Sequence, residues 1–260
     1  MAPAVRRLLR SAWPPALVFA ALVLGWDLVA NAVHASLSLP GPWYVVTNSW
    51  GDRADLAAAA WTTTGEVVPG LAIAVVCGVA FAVAIDWSRG VRRSLYPLIV
   101  VSQTIPLIVL APLVIIWFGF GPGPKIALVG LFTFFAITVG TIQGLASTDV
   151  DTMNLLRTMG ASRTQLLWRV RLPTALPQFF TGLKVAITFS YVAAVFAEYV
   201  GATQGLGYYM KAANAYFNTD LVFGAVIVTA LLTLILFALV SALERAVLRW
   251  RPPSQADTRW

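Results

Sequence analysis

Six long apolar runs alternate with shorter polar connections along the 260-residue chain, at about 13–33, 65–85, 95–118, 125–146, 178–200 and 220–243. An α-helix needs roughly 20 apolar residues to cross the hydrocarbon core of a bilayer. Backbone groups in lipid find no water, so such runs read as helices. The pattern predicts an all-α membrane protein with six transmembrane helices. Residues 1–260 are expected to form a single transmembrane domain.

Three connections depart from simple tethers. Between the first two runs, about 36–62, Pro40, Gly41 and Pro42 interrupt any span. Trp43, Tyr44, Trp50 and Trp61 suit the headgroup level, so a short interfacial helix on the outer face is expected. The third run carries prolines at 97, 106 and 112. Each removes a backbone donor. Broken helices survive in membranes where protein or a cavity surrounds them, so this span is expected to face the protein interior. A kinked structural helix and a pathway helix fit it equally.

The third departure is residues 147–177, "STDVDTMNLLRTMGASRTQLLWRVRLPTALP". Met153, Leu156 and Met159 recur at helical spacing. Gly160 then ends a short amphipathic helix. Ser162, with Gln165 three residues on, reads as a capping box opening a second short helix. Leu166, Leu167 and Val170 give that helix an apolar side. Pro173 is expected to stop it, and Pro177 to open the fifth span. Such a bent helix pair fits a groove on a partner protein. A helix lying on anionic lipid fits the same residues.

Composition supports the membrane reading. The chain is 59% hydrophobic and only 11% charged, against about 25% charged in soluble domains. Its net charge of +7 is laid out by topology. With the N-terminus cytoplasmic, 14 of the 18 Lys and Arg fall in inner segments. Arg53, Lys125 and Lys211 fall outside, and Lys184 near an inner end. Both termini are therefore expected inside, and nucleic acid is not a partner. A cleaved signal peptide ending at "VHA" is disfavoured by the length of the first run and by Pro14, Pro15, Trp26 and Asp27. His34 is left as an interfacial residue. Cys77, the only cysteine, reads as a buried small residue. No metal-ligand spacing appears.

Gly160 followed by Val170-Arg171-Leu172-Pro173 resembles the signature loop of permease subunits of binding-protein-dependent ABC importers. That signature is Glu-Ala-Ala, three residues, Gly, nine residues, then Ile-x-Leu-Pro. Asn154, Leu155 and Leu156 stand where Glu-Ala-Ala would be, which removes any salt bridge from that Glu. "IPLIVLAPLVIIWFGFGPGPKI", "GASRTQLLWRVRLPTALP" and "AEYVGATQGLGYYMKAANAYFNTDLVFGAVIV" extend the resemblance to the nitrate, sulfonate and taurine branch. That branch also includes importers of pyrimidine thiamine precursors and riboflavin. The resemblance implies the type I importer fold in a bacterial inner membrane. It implies a homodimer, two ATP-binding subunits inside and a solute-binding protein outside. The loop at 147–177 would be the cytoplasmic coupling loop. Asn154, Leu155, Leu156, Gly160, Ala161, Ser162, Val170, Leu172 and Pro173 would meet the ATPase. ATP and Mg would sit on that partner, and this chain would bind no cofactor.

Charges and amides inside spans are candidate path residues. Glu66 and Glu198 lie near outer span ends, where lining the path and sitting in interfacial water are both open. Asp27 and Asp86, near run ends, read as solvated, and Lys184 as snorkelling to the inner interface. Gln103, costly in lipid, Thr104, Ser190, Tyr191 and Glu198 are the expected path lining. Hydroxyls such as Thr133, Thr138 and Thr188 often bond only their own helix. No arginine lies centrally in a span, which favours a neutral or aromatic cargo over an anion. No G-x-x-x-x-G-K-[ST] loop occurs and no catalytic set, so the chain is not expected to be an enzyme. The alternative is a self-contained secondary carrier or channel. It would call for intramembrane ion-coupling pairs and often internal repeats.

Overall fold

The computed structural model describes residues 2–32, 39–102 and 104–250, and all their regular structure is helical. In chain order the helices are α1 (Ala2–Ala32), α2 (Pro42–Gly51), α3 (Arg53–Trp87), α4 (Arg89–Ser102), α5 (Leu107–Phe118) and α6 (Pro122–Ala146). They continue with α7 (Val150–Thr158), α8 (Arg163–Leu166), α9 (Leu172–Gly201), α10 (Leu206–Ala215) and α11 (Thr219–Val247). Among the described residues, four helical stretches are long and apolar enough to cross a membrane: Arg53–Trp87, Pro122–Ala146, Arg163–Gly201 and Thr219–Val247. Leu17–Ala32 and Ile108–Phe118 are shorter apolar helices. His34 and Gln103 lie outside the described residues.

Local chemistry moves several expected boundaries. The interfacial helix α2 starts at Pro42, whose fixed φ suits a first helical position. It ends at Gly51, and α3 starts at Arg53 rather than after Trp61. The alanines at 57–60 are strong helix formers and carry the second span toward α2. The third run breaks only at Pro106, which caps α5 in an extended conformation. Pro97 and Pro112 stay inside helices. Within this chain α5 is not interior: Ala111 and Ile115 are buried, while Ile108, Ile116, Trp117 and Phe118 are exposed.

The expected stop at Pro173 is absent. A π-helical turn, Leu167–Arg171, joins α8 to α9, so one helix runs from Arg163 to Gly201. The π turn shifts the backbone pairing, Leu172 N–H reaching back to the Leu167 carbonyl, and the continuous helix carries Pro173, which has no N–H to donate, directly after it. Pro177 is internal to α9 rather than its start.

The described residues form two compact units. The first comprises Met1–Ala57 and Tyr209–Val228. In it Trp26 stacks on Phe223 with centroids 5.7 Å apart, and its Nε1 donates to the Pro40 carbonyl at 3.1 Å. Asn48 Nδ2 donates to Asp220 at 2.7 Å, and the Tyr209 hydroxyl donates to Asp52. Burial, then the Asp52 carboxylate, holds the Tyr209 phenol well above its ordinary value. The second unit comprises Ala58–Tyr208 and Thr229–Trp260. Its core joins Val67 and Leu71 of α3, Val129 and Ile137 of α6, and Ile187 and Tyr191 of α9, with Leu232 and Leu236 of α11 against them. The α6–α9 crossing is close. A Cβ on Gly140 would lie 3.0 Å from Gly182 Cα and 2.7 Å from the Gln178 carbonyl oxygen. Cys77 is exposed on this chain, contrary to the buried reading.

Candidate functional site

Two constellations stand out in the second unit. The first surrounds Glu198 near the end of α9. Glu198 is fully buried, at 0% exposure. The Thr63 hydroxyl on α3 donates to Glu198 Oε1 at 2.8 Å and accepts from the Leu206 amide at 2.9 Å. The Gly207 amide donates to Glu198 Oε2 at 2.8 Å. These amides open α10, where a helix has no backbone acceptors of its own. Gly205 precedes them at φ +104°, a left-handed conformation open to glycine, and a Cβ there would collide with the Glu198 carboxylate.

Beside this set, Lys125 of α6 forms an ion pair with Glu66 of α3, their side chains only 7% and 4% exposed. Glu66 Oε2 is buried with no hydrogen-bond partner among the described residues. Lys125, expected in an outer connection, is thus inside the helix packing. Glu66 and Glu198 do not sit in interfacial water. The Tyr191 hydroxyl lies 3.3 Å from Thr64 Oγ1.

The structure therefore brings two of the expected path residues, Tyr191 and Glu198, onto neighbouring threonines of α3. It does not gather the others. Ser190 is buried but bonds the Ile187 carbonyl of its own helix at 2.8 Å. Thr104 is exposed and bonds Val101 at 2.8 Å. Thr133, Thr138 and Thr188 also bond only their own helices. Sequence reasoning passed over Thr63, Thr64, Lys125 and the Gly205-Leu206-Gly207 turn. The available signal was the short Gly-Leu-Gly segment after Glu198.

The second constellation is the loop between α6 and α9. The Asp149 carboxylate caps α7, accepting from the Thr152 hydroxyl at 2.7 Å and the Thr152 amide at 2.9 Å. Those bonds, the hydroxyl's foremost, hold Asp149 below its ordinary value. Gly160 then turns the chain at φ +87°. Ser162 and Gln165 form the reciprocal capping box of α8, at 3.2 and 2.9 Å. Asn154, Leu155 and Ser162 are exposed, and Leu156, Ala161, Val170 and Pro173 half-buried. Leu172 packs inward against a cluster of Ala82, Leu145, Leu167 and Ala175.

Arg171 anchors the loop. Its guanidinium pairs with both oxygens of Asp86 on α3, Nη2 to Oδ1 at 2.7 Å, and donates to the Leu145 carbonyl of α6 at 2.9 Å. Asp86 is therefore paired rather than simply solvated. Lys184 likewise pairs with Glu244 of α11. A cavity of about 490 Å³ opens beside the anchor, lined by Asp86, Arg157, Arg163 and Arg171 among others. Val150, Leu155, Met159 and Trp168 stand 68%, 61%, 75% and 67% exposed on this loop. An anchored frame presenting apolar side chains can pass a push from a bound partner to the spans. Among the described residues no cluster of three or more His, Cys, Asp or Glu could hold a metal ion.

The chain matches, over residues 70–249, the family model described as binding-protein-dependent transport system inner membrane component. It is 36% identical to the formylaminopyrimidine transport permease protein ThiX of Halalkalibacterium halodurans, covering 91% of this chain and 95% of that protein. It is 31% identical to the riboflavin transport system permease protein RibX of Chloroflexus aurantiacus, covering 96% of each. It is 30% identical to the taurine transport system permease protein TauC of Escherichia coli, covering 88% of this chain and 86% of that protein. Its fold is similar to that of a chain of the inward-facing MetNI methionine ABC transporter. The TM-score is 0.65 at 19% identity, over 81% of this chain and 99% of that one.

Proposed function

The chain belongs to the family of inner membrane components of binding-protein-dependent transport systems, and we propose that its bent loop at 147–177 is where a separate ATPase docks and drives transport. As an ABC importer permease it sits in the bacterial inner membrane. In the proposed assembly the chain crosses six times with both termini cytoplasmic. Two copies form the path, two ATP-binding subunits dock beneath, and a solute-binding protein delivers cargo from outside. ATP and Mg belong to the ATPase, and this chain catalyses nothing itself.

One observation carries the docking reading. Leu155 and Met159 are exposed apolar residues on a loop whose shape is fixed by caps at Asp149 and Ser162 and by the Arg171–Asp86 pair. Exposed apolar groups framed by polar residues mark interaction sites. Glu198 and Tyr191 would hold the outer part of the path in shape. Gln103, Thr104 and Ser190 remain proposed as lining.

The cargo is a small organic solute. The pyrimidine and riboflavin permeases among the relatives, and the lack of central arginines, favour a neutral aromatic over a sulfonate.

The test is a mild-detergent pull-down of tagged chain from its own cells. A phosphate-loop ATPase should co-purify, one copy for each permease copy, as a two-fold assembly requires. A chain that purifies alone and moves solute in liposomes without ATP would overturn the proposal.

A further inference from the structure

The cavity of about 490 Å³ beside the Arg171–Asp86 pair carries an unbalanced charge. Among the described residues, the charged groups that line it are Asp86, Arg157, Arg163 and Arg171. Arg171 and Asp86 neutralise one another. Neither Arg157 nor Arg163 pairs with a carboxylate among the described residues. Ser88 also lines the cavity, and its carbonyl accepts the Arg92 amide at 2.9 Å, the bond that starts α4. The amides just after Ser88 have no acceptor within α4, and the positive end of its dipole adds to the two guanidiniums.

The depth of the cavity follows from α3. Trp61 and Trp87 are both exposed on that helix. They lie about 39 Å apart along its axis at 1.5 Å per residue. That is close to the thickness of a bilayer with its headgroups, and tryptophan favours both headgroup levels. Trp87 lines the cavity, so the cavity opens at headgroup depth.

The face of α7 that meets the cavity is not the face offered to the ATPase. At 3.6 residues per turn, Met153 and Arg157 share one side of the helix and Leu155 and Met159 the opposite side. Met153 and Arg157 line the cavity. A partner seated on Leu155 and Met159 leaves it free. The anion that a membrane supplies at this depth is a phosphodiester, whose oxygens match the donor fork of arginine. Basic pockets beside spans on the cytoplasmic side suit anionic headgroups.

We propose that this cavity holds the phosphate of an anionic phospholipid headgroup from the inner leaflet, gripped by Arg157 and Arg163, so that a lipid ties the root of the docking loop to the membrane. The site is separate from the docking face and takes only the cytoplasmic placement of the loop from the reading above.

The test uses the chain with its co-purified ATPase in nanodiscs of equal parts phosphatidylglycerol and phosphatidylcholine with the same acyl chains. The complex is released in a native mass spectrometer, and the lipids that stay bound are counted. Phosphatidylglycerol should be retained over phosphatidylcholine by about thirtyfold, the weight of two arginines near an anionic surface. Arg157→Gln with Arg163→Gln should abolish the preference, and Arg157→Lys with Arg163→Lys should keep most of it. Both side chains are exposed, so both variants should fold. In discs of phosphatidylcholine alone, added inorganic phosphate should not be retained. Phosphate that is retained there and lost with the two arginines would make the site one for a soluble anion and overturn the lipid assignment. Equal retention of the two lipids, or a preference that survives the glutamines, would also overturn it. So would loss of the ATPase from the glutamine variant, which would give the two arginines to the protein interface. Retention of the ATPase by the parent sample separates these failures from failure of the permease reading.

Discussion

The loop from Asp149 to Pro173 and the cluster around Glu198 are built by opposite means. In the loop the caps are local, Asp149 reaching Thr152 and Ser162 reaching Gln165, each three residues away, and one long-range anchor, Arg171 on Asp86, ties its far end to α3. In the cluster, Thr63 meets Glu198 across 135 positions and Leu206 across 143. The loop keeps its polar groups in water. The cluster takes charges out of water and depends on every partner being present. One region is therefore a surface that can change without unfolding the chain, and the other is a structural commitment.

The largest effect should come from breaking the buried ion pair. Lys125→Met leaves the Glu66 carboxylate buried and unpaired, which costs about 3–5 kcal/mol. Thermal unfolding of the purified chain should show a large fall in Tm. Adding Glu66→Gln should restore most of it. A single variant as stable as the parent would remove the cluster's half of the contrast.

Gly160→Val forces a β-branched residue into the left-handed region, at about 1–2 kcal/mol. Because the strain falls at an exposed bend, the chain should still fold. ATP hydrolysis should continue while uptake falls, which proteoliposomes with both readouts would separate. Full coupling in this variant would argue against a bend that transmits force.

Glu198→Gln should come next. A carboxamide accepts on one side only. With its oxygen on the Gly207 amide, its NH2 faces Thr63, whose hydroxyl must then donate to the Ala59 carbonyl instead, and the lost charge-assisted bonds cost about 1 kcal/mol. Faster hydrogen exchange at the start of α10 would report it, and unchanged exchange there would contradict the bonding pattern.

The smallest effect is the pH response of the α7 cap. Asp149 is held below its ordinary 3.8 by Thr152, so its contribution is fully present above that value. It is lost as pH falls through the lower folded value. Helix content of the loop should drop only at strongly acid pH. Asp149→Asn, which keeps a cap without the charge, should flatten that response.

The same contrast explains what was legible beforehand. The runs, the bend at Gly160 and the Ser162–Gln165 box follow from spacing of a few residues, and reading the chain finds them. The Asp149 cap obeys the same rule and was available in "STDVDT". Pro173 misled, because a proline stops a helix only if its turn cannot adjust, and the π turn at 167–171 adjusts. Lys125 read as part of an outer connection and Glu66 as either path lining or an interfacial residue, since nothing in the order of residues says that α3 and α6 pair them. Thr63 carries no signal of its own in the alanine-rich stretch where it stands. Its role exists only once α9 and the Gly205 turn fold back beside it.

Docking of the ATPase on the loop is most directly tested by Leu155→Asp with Met159→Asp. Both side chains are exposed in this chain, so neither change should disturb the fold. Measured by pull-down in mild detergent, the variant should keep the parent's Tm and lose most of its bound ATPase. A variant that retains the ATPase at the parent's ratio would contradict docking on this loop.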